Sequence, residues 1–225
     1  MTGPICESTL ERLREAAASG HPTPAGVAVA AVSASFALGL VAKALTVSAR
    51  RGPHRVDVAK LEALAVTLRS ESSRMLGLAE SDTAAFESYL ASVRLPHATD
   101  QERIERRHAL DAALRQAIGL PLAAAHATAS GITLCSEALS MTDLVVLADL
   151  AAAAALLSGA LRAFLVCAES NVSVLGPPDA SQRQLLVQEA GRHRHALDLA
   201  EEVLEQVAQA LKAASPGCAD FRVLP

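Results

Sequence analysis

Two features of the sequence combine reactive or polar groups with surroundings that make them unusual. Asp149 lies inside a long run of alanine and leucine, where a carboxylate costs free energy unless it is paired or functional. The segment P-T-P-A-G at 22–26 precedes a second apolar run, and a helix that starts there presents unpaired backbone amides suited to an anion or a polar ring. Asp149 is therefore either a site residue or half of a structural ion pair, with Arg162 as a candidate partner on a neighbouring helix or across a subunit interface.

Other motifs are missing or weak. The sequence has no phosphate-binding G-x-x-x-x-G-K-S/T, no G-x-S-x-G, no H-E-x-x-H and no dinucleotide-binding glycine pattern. The four cysteines are scattered without C-x-x-C spacing, which predicts neither a disulfide framework nor a zinc site. His193 and His195 are two residues apart and point to different faces of a helix. We predict no metal site and no tightly bound cofactor.

Composition favours packed helices. The 225 residues are 51% hydrophobic but only 2% aromatic, so alanine, leucine and valine must build the core. Strands prefer aromatic and β-branched residues, whereas the small side chains of an alanine-rich core let helices approach closely. The net charge of -4 disfavours binding to nucleic acid. The first 20 residues carry charges where a secretory signal needs an apolar run, which predicts a cytoplasmic protein.

Proline, glycine and capping patterns divide the chain into about six helical segments. We predict helices over 8–18, 26–48, 56–92, 99–139, 141–174 and 179–214, with Gly77 as a point of interruption and Pro121 as a kink or a break. Capping-box spacing at Ser8–Glu11 and Thr99–Glu102 marks two helix starts. The prediction is a single all-α domain over 1–225, a helical bundle whose last residues, 215–225, form a loose tail.

Two apolar stretches, 22–42 and 144–167, approach the ~20 residues that cross a bilayer. Asp149 and Arg162 interrupt the second stretch, and Ser33, Ser35 and Gly39 interrupt the first. Buried helices of a bundle are the preferred interpretation, and a membrane protein is the alternative. Exposed faces of alanine-rich helices also predict a homodimer with an isologous interface.

Several motifs occur in the order and spacing of a known family. They are P-T-P-A-G-V-A at 22–28, L-T-V-S-A-R-R at 45–51, D-T-A-A-F at 82–86, L-P-H-A-T-D-Q-E at 95–102, L-P-L at 120–122, A-D at 148–149 and an asparagine at 171. Through them the chain, from about residue 8 to 210, resembles the formiminotransferase-cyclodeaminase C-terminal (cyclodeaminase/cyclohydrolase) family of folate enzymes. The resemblance implies an all-helical homodimer that acts on a one-carbon-substituted tetrahydrofolate.

Two reactions are implied by this resemblance. The first is hydrolysis of 5,10-methenyltetrahydrofolate to 10-formyltetrahydrofolate, which stand-alone bacterial members of this length resemble. The alternative is cyclodeamination of the 5-formimino form, an activity that usually accompanies a formiminotransferase domain. We expect the cyclohydrolase.

The resemblance also implies site residues. Asp149 is expected to act as a general base or electrostatic group, with Asp82 as the second catalytic candidate. Arg50 and Arg51 are expected to hold the glutamate tail of the folate, since guanidinium pairs well with carboxylate, although as cations at a helix end they need no such role. Asn171 is expected to orient a pterin edge or a water. The other expected folate-binding residues come from the two motifs of the first apolar helix: Thr23, Pro24, Gly26 and Thr46.

Five positions depart from the family pattern. Ala25, Val27 and Ala28 stand in the glycine-rich loop, Ala148 replaces a serine, and Cys167 replaces an asparagine. The added β-carbons would narrow a pocket at the loop, and the last two changes remove hydrogen-bonding groups. A third hypothesis is therefore a catalytically degenerate family member that acts as a binding or structural protein.

Overall fold

The computed structural model describes residues 4–51, 57–174 and 180–214, and within these residues the protein is built of helices with no strand. The prediction of an all-α bundle is confirmed. Two short 3-10 turns, Ile5–Glu7 and Leu144–Val146, accompany the main elements. The six α-helices are α1 (Leu10–Ala17), α2 (Gly26–Arg51), α3 (Val58–Val93), α4 (Asp100–Leu139), α5 (Leu147–Val174) and α6 (Ala180–Ala214).

Helix α2 lies at the centre of the bundle, between α3 and α5, while α4 packs against α3, α5 and α6. Its inner side is made almost entirely of alanine, leucine and valine. The small residues bring helices close together: a β-carbon on Gly131 of α4 would lie 2.6 Å from Leu38 Cδ2 of α2. Leu38 and its neighbour Leu157 of α5 are fully buried, so the three helices share one core.

Polar side chains cap the starts of α1, α3 and α4, in one case not at the residue that the sequence pattern suggested. The capping box at Thr99 and Glu102 is confirmed, with each side chain accepting a hydrogen bond from the other residue's backbone N–H. The cap expected at Ser8 is wrong by one residue. Thr9 Oγ1 accepts the amide of Arg12 at 3.2 Å, whereas the Ser8 hydroxyl donates to the carbonyl of Pro4.

Two expected interruptions do not occur. Helix α3 continues through Gly77, because the roughly 1 kcal/mol helix penalty of glycine is small beside the burial of one face of a 36-residue helix. Helix α4 continues through Pro121, so the alternative of a break there is wrong. The fifth helix starts at Leu147 and not at Met141, since Asp143 Oδ1 accepts the Val145 amide and initiates a 3-10 turn first. The predicted loose tail lies outside the described residues.

Three described helical segments are long and apolar enough to cross a membrane by length and composition: Gly26–Arg51, Asp100–Leu139 and Leu144–Ser173. Of their most apolar windows, 67%, 50% and 50% of the residues, respectively, are buried inside the protein. Half or more of the residues in each window are therefore covered by the other helices of the bundle. That the protein binds no membrane stays a prediction.

Candidate functional site

A pocket of about 230 Å³ opens where the beginning of α2, the last third of α3 and the end of α5 meet. Its wall is mostly apolar, with few polar groups, of which Asp82 is the charged one. Pockets for small molecules have this character, although the volume is below the roughly 300–1,000 Å³ of typical ones. The cavity therefore suits one ring system of a larger ligand. The lining residues are Thr23, Ala25, Gly26, Val27, Asp82, Ala85, Phe86, Tyr89, Leu114, Ala117, Cys167, Ser170 and Asn171.

Helix α3 supplies one wall through helical spacing. Asp82, Phe86 and Tyr89 are four and three residues apart, so their side chains lie on one face. The rings of Phe86 and Tyr89 are 6.2 Å apart between centroids and tilted by 45°. The chain has only five Phe and Tyr residues, and two of them stand here beside a carboxylate. This wall suits a flat, positively charged heteroaromatic group.

The loop before α2 supplies the opposite wall. The Thr23–Pro24 peptide bond is cis, Pro24 is buried, and the helix begins at Gly26. A β-carbon on Gly26 would lie 3.2 Å from Cys167 Sγ, a tight contact, so the glycine lets the loop approach α5. Ala25 and Val27 line the pocket with their β-carbons, where the resemblance expects glycines.

Asp82 is the residue of this pocket that is best suited to proton transfer. Burial among apolar side chains raises the pKa of Asp82 from 3.8 to about 6, because the charged form loses hydration. A carboxyl group that titrates near neutrality exchanges protons readily at physiological pH and can act as a general base or acid. The geometry therefore favours Asp82 as the acid–base residue.

Cys167 is a poor nucleophile in this setting. Its pKa is raised, first by burial and then by the negative charge of Asp82. The thiolate is the reactive form of cysteine, so a raised pKa leaves an unreactive thiol at neutral pH. Covalent catalysis by Cys167 is disfavoured, which leaves Asp82 as the candidate for proton transfer in this pocket.

Asn171 is held in place by a carbonyl group of α4 that lacks its usual backbone hydrogen bond. Proline has no N–H, so Pro121 cannot donate to the carbonyl of Ala117, four residues earlier. The Asn171 side-chain amide donates to that carbonyl instead, at 2.6 Å from Nδ2 to the oxygen. This bond ties α5 to α4 and fixes the amide at the rim of the pocket, with its second N–H and its oxygen free of this contact.

Asp149 is placed elsewhere. Its Oδ2 lies 2.7 Å from Lys43 Nζ, and Arg162 pairs with Glu201 at 3.6 Å. The expected Asp149–Arg162 pair is therefore wrong within one chain: Lys43 on α2 takes that place. Eighteen residues separate Asp149 from Cys167 on α5, about 27 Å at 1.5 Å per residue. Within one chain, Asp149 and Asp82 do not face one cavity.

The basic residues predicted to bind the folate tail also lie at the far end of α2. Arg50 and Thr46 line a separate pocket with Arg69, whose Nη1 donates to Thr46 Oγ1 at 3.3 Å. Arg51 Nε is 3.8 Å from Asp143 Oδ2. The predicted site residues thus divide into a pocket group (Thr23, Gly26, Asp82 and Asn171), Pro24 beside it, and a distal group (Thr46, Arg50, Arg51 and Asp149).

Tyr89, Leu114 and Ser170 were missed by sequence reasoning. Helical spacing from Asp82 and Phe86 could have identified Tyr89, the chain's single tyrosine. No comparable signal marks Leu114 and Ser170, because they enter the pocket only through the packing of α4 and α5.

An all-helical bundle with a half-buried carboxyl group beside aromatic and apolar walls is an arrangement suited to a small cationic or heteroaromatic ligand. The sequence profile described as Formiminotransferase-cyclodeaminase matches residues 9–192. The chain belongs to this family.

Named relatives give two activities. A methenyltetrahydrofolate cyclohydrolase of Methylorubrum extorquens is 28% identical over 164 residues, covering 70% of this chain and 78% of the relative. A formimidoyltransferase-cyclodeaminase of Sus scrofa is 32% identical over 136 residues, 58% of this chain. This chain spans about a quarter of the length of that relative, 25%.

A solved structure shares the fold. The formiminotetrahydrofolate cyclodeaminase of Thermotoga maritima superposes with a TM-score of 0.77 at 16% sequence identity, covering 92% of this chain and 98% of that one. The likeness confirms the helical architecture that the sequence predicted. Members of the family are folate-processing enzymes, cyclodeaminases or cyclohydrolases.

Proposed function

We propose that the protein hydrolyses 5,10-methenyltetrahydrofolate to 10-formyltetrahydrofolate. The observation that carries this proposal is the Asp82 carboxyl group, with its pKa near 6, in a pocket walled by Phe86 and Tyr89. The cyclohydrolase relative supports it, since the match covers most of that protein.

The proposed reaction uses Asp82 twice. The carboxylate attracts the cationic amidinium bridge and takes a proton from the water that attacks the bridge carbon. The neutral adduct then opens as the bond from that carbon to N5 breaks. Asp82 returns its proton to N5, the adduct's hydroxyl proton goes to solvent, and the carbonyl group stays on N10. The net result is addition of one water and release of one proton.

Cyclodeamination of 5-formiminotetrahydrofolate is the second candidate. There N10 attacks the formimino carbon and ammonia leaves, which again needs one group to carry protons. The cyclodeaminase relatives favour this candidate, and an acid with a pKa near 6 serves it equally well. The third hypothesis, a binding protein without turnover, is supported by the β-carbons of Ala25 and Val27 in the pocket wall.

A spectroscopic assay distinguishes the candidates. We expect purified protein to accelerate the loss of methenyl absorbance above the buffer rate, and Asp82→Asn to lower that acceleration by about 100-fold or more, the usual effect of removing an acid–base group. Asp198→Asn, an exposed aspartate of α6, is the matched control and should retain the wild-type rate. Ammonia release from the formimino substrate without methenyl hydrolysis would support the cyclodeaminase. Folate binding by calorimetry without either reaction would support the binding protein.

The catalytic role predicted for Asp149 and the tail-binding role of Arg50 and Arg51 stay predictions, and so does a cytoplasmic location. We also propose a homodimer. Between Ala148 and Gly159 the exposed residues of α5 are alanine, leucine and glycine, and Val29 and Phe36 of α2 are also exposed, a composition suited to a second copy of the same surface.

A further inference from the structure

Three side chains of α4 and α6 converge at a place that the proposed function does not use. They are His126 of α4 and Glu189 and His193 of α6, and one ligand atom from each lies within 4.8 Å of the others. Glu189 and His193 are four residues apart and share a helix face, so both project towards α4. His126 is nine residues beyond the pocket residue Ala117, about 13 Å along α4.

The cluster is buried but not satisfied. Glu189 is 4% exposed and His193 is 2% exposed. Glu189 Oε2 and His193 Nε2 have no hydrogen-bond partner among the described residues, although His126 Nε2 and His193 Nε2 lie 3.0 and 3.5 Å from that oxygen. Buried polar atoms are nearly always paired by well-formed hydrogen bonds, so three polar atoms that lie this close without one need an explanation.

The separations fit ligands of a single ion. Zinc binds imidazole nitrogen and carboxylate oxygen at about 2.0–2.2 Å, which places two ligand atoms of a tetrahedral site about 3.4 Å apart. The two separations from Glu189 Oε2, 3.0 and 3.5 Å, lie around that value, and the ligand atoms of the two histidines lie within 4.8 Å of each other. The rings of His126 and His193 meet edge to face, 4.7 Å apart between centroids, so both imidazoles lie at the same place between α4 and α6.

Although the sequence alone predicted no metal site, we propose that His126, Glu189 and His193 bind one divalent transition-metal ion, with Zn²⁺ as the preferred species. Two imidazoles and a carboxylate are a common ligand set for such ions and leave a fourth position for water. The His126 side chain is 43% exposed, which gives the ion a path from solvent. Bound there, the ion ties α6 to α4.

Arg192 takes part as an outer partner. Its Nη1 donates to Glu189 Oε1 at 2.9 Å, which leaves Oε2 to the ion and orients the carboxylate. The same nitrogen lies 3.5 Å from His126 Nε2 and must move away when that nitrogen binds metal. The Arg192 side chain is exposed, so this movement is open to it.

Metal titration of the full chain tests the site. The purified protein, freed of any histidine tag and stripped with chelator, is titrated with Co²⁺ and with Zn²⁺. We expect one ion per chain, a visible Co²⁺ absorption band, and a higher melting temperature with Zn²⁺. His126→Gln and Glu189→Gln should each lower the affinity by more than about 100-fold, beyond the roughly 10–100-fold effect of losing an outer partner.

His195→Gln is the matched control, since this exposed histidine lies two residues from His193 on another face. It should bind metal as the wild type does. His126 is half-exposed, so His126→Gln is expected to fold even if a change at Glu189 is not tolerated. Binding well below one ion per chain, or equal affinity in His126→Gln and the wild type, would overturn the proposal. A wild-type protein that binds one ion per chain but turns over no folate would contradict the proposed function and leave the metal site supported.

Discussion

At the scale of single residues, the pKa of Asp82 makes the proposed hydrolysis dependent on pH. Its raised value, about 6, means that the carboxylate form is lost as the pH falls through 6. We therefore expect kcat/KM for methenyl hydrolysis, corrected for the buffer reaction, to rise between pH 5 and 7 with a midpoint near 6. The measurement is a pH profile of initial rates. A midpoint near 4, the value of an exposed aspartate, would contradict the assignment.

The same pKa predicts an effect on stability. Because the pKa of Asp82 in the folded state exceeds the usual 3.8, the folded state holds the proton more tightly than the unfolded state does. The stability that the protonated side chain contributes is fully present below about pH 4 and is lost as the pH rises through about 6. Asp82→Asn lacks the buried charge and should be more stable than the wild type at pH 7. We expect its free energy of unfolding to be about 1 kcal/mol larger, a value that allows for solvent screening of a half-buried group. Urea denaturation at pH 4 and 7 checks this prediction. An equal gain at both pH values would exclude the charge as the cause.

At the scale of helices, Asn171 and Pro121 should depend on each other energetically. Asn171→Ala leaves the Ala117 carbonyl without a donor and should cost about 1–2 kcal/mol in the free energy of unfolding. In Pro121→Ala a backbone N–H becomes available to that carbonyl, so the same substitution should cost less. A double-mutant cycle by urea denaturation should give a coupling near 1 kcal/mol. Additivity within about 0.5 kcal/mol would show that the two residues act independently.

Two glycines of α4 provide a matched comparison of helix packing. Gly131→Ala places a β-carbon 2.6 Å from buried Leu38 Cδ2 and should lower the free energy of unfolding by about 1–3 kcal/mol. Gly119→Ala meets nothing within 4 Å and should raise it by about 0.5–1 kcal/mol through helix propensity. Thermal denaturation of both variants shows whether each substitution lowers or raises the stability. A stabilised Gly131→Ala would show that α2 and α4 can separate without cost.

The helices could be predicted from the sequence because their signals are local. Capping at Thr99, the end of α2 after the arginine pair and the apolar periodicity all act within a few residues. The sequence left open whether Pro121 kinks or breaks α4, because the Asn171 side chain that donates to the Ala117 carbonyl lies 50 positions further along the chain. The same limit explains the partner of Asp149: Lys43 is 106 residues away and meets it only because α2 and α5 pack together.

At the scale of the whole molecule, the antiparallel arrangement of α2 and α5 decides which predicted residues share a site. The start of α2 meets the end of α5, which brings Gly26 to Cys167 and places Asp82 opposite them. The far end of α2 carries Lys43 to Asp149. Sequence motifs identify candidate residues but not the end of the bundle at which each one lies, so only part of the predicted set forms one pocket.

The exposed apolar face of α2 and α5 predicts the oligomeric state. Leu156 of α5 and Phe36 of α2 are 44% and 54% exposed. Sedimentation equilibrium should give a mass twice the 23.3 kDa of one chain, and the dimer should persist at high salt because apolar contacts are not screened. Leu156→Glu should sediment as a monomer, since a two-fold interface buries the new charge twice. Ile104→Glu, which adds the same charge at an exposed position of α4, should remain dimeric, and a monomeric wild type would overturn the homodimer.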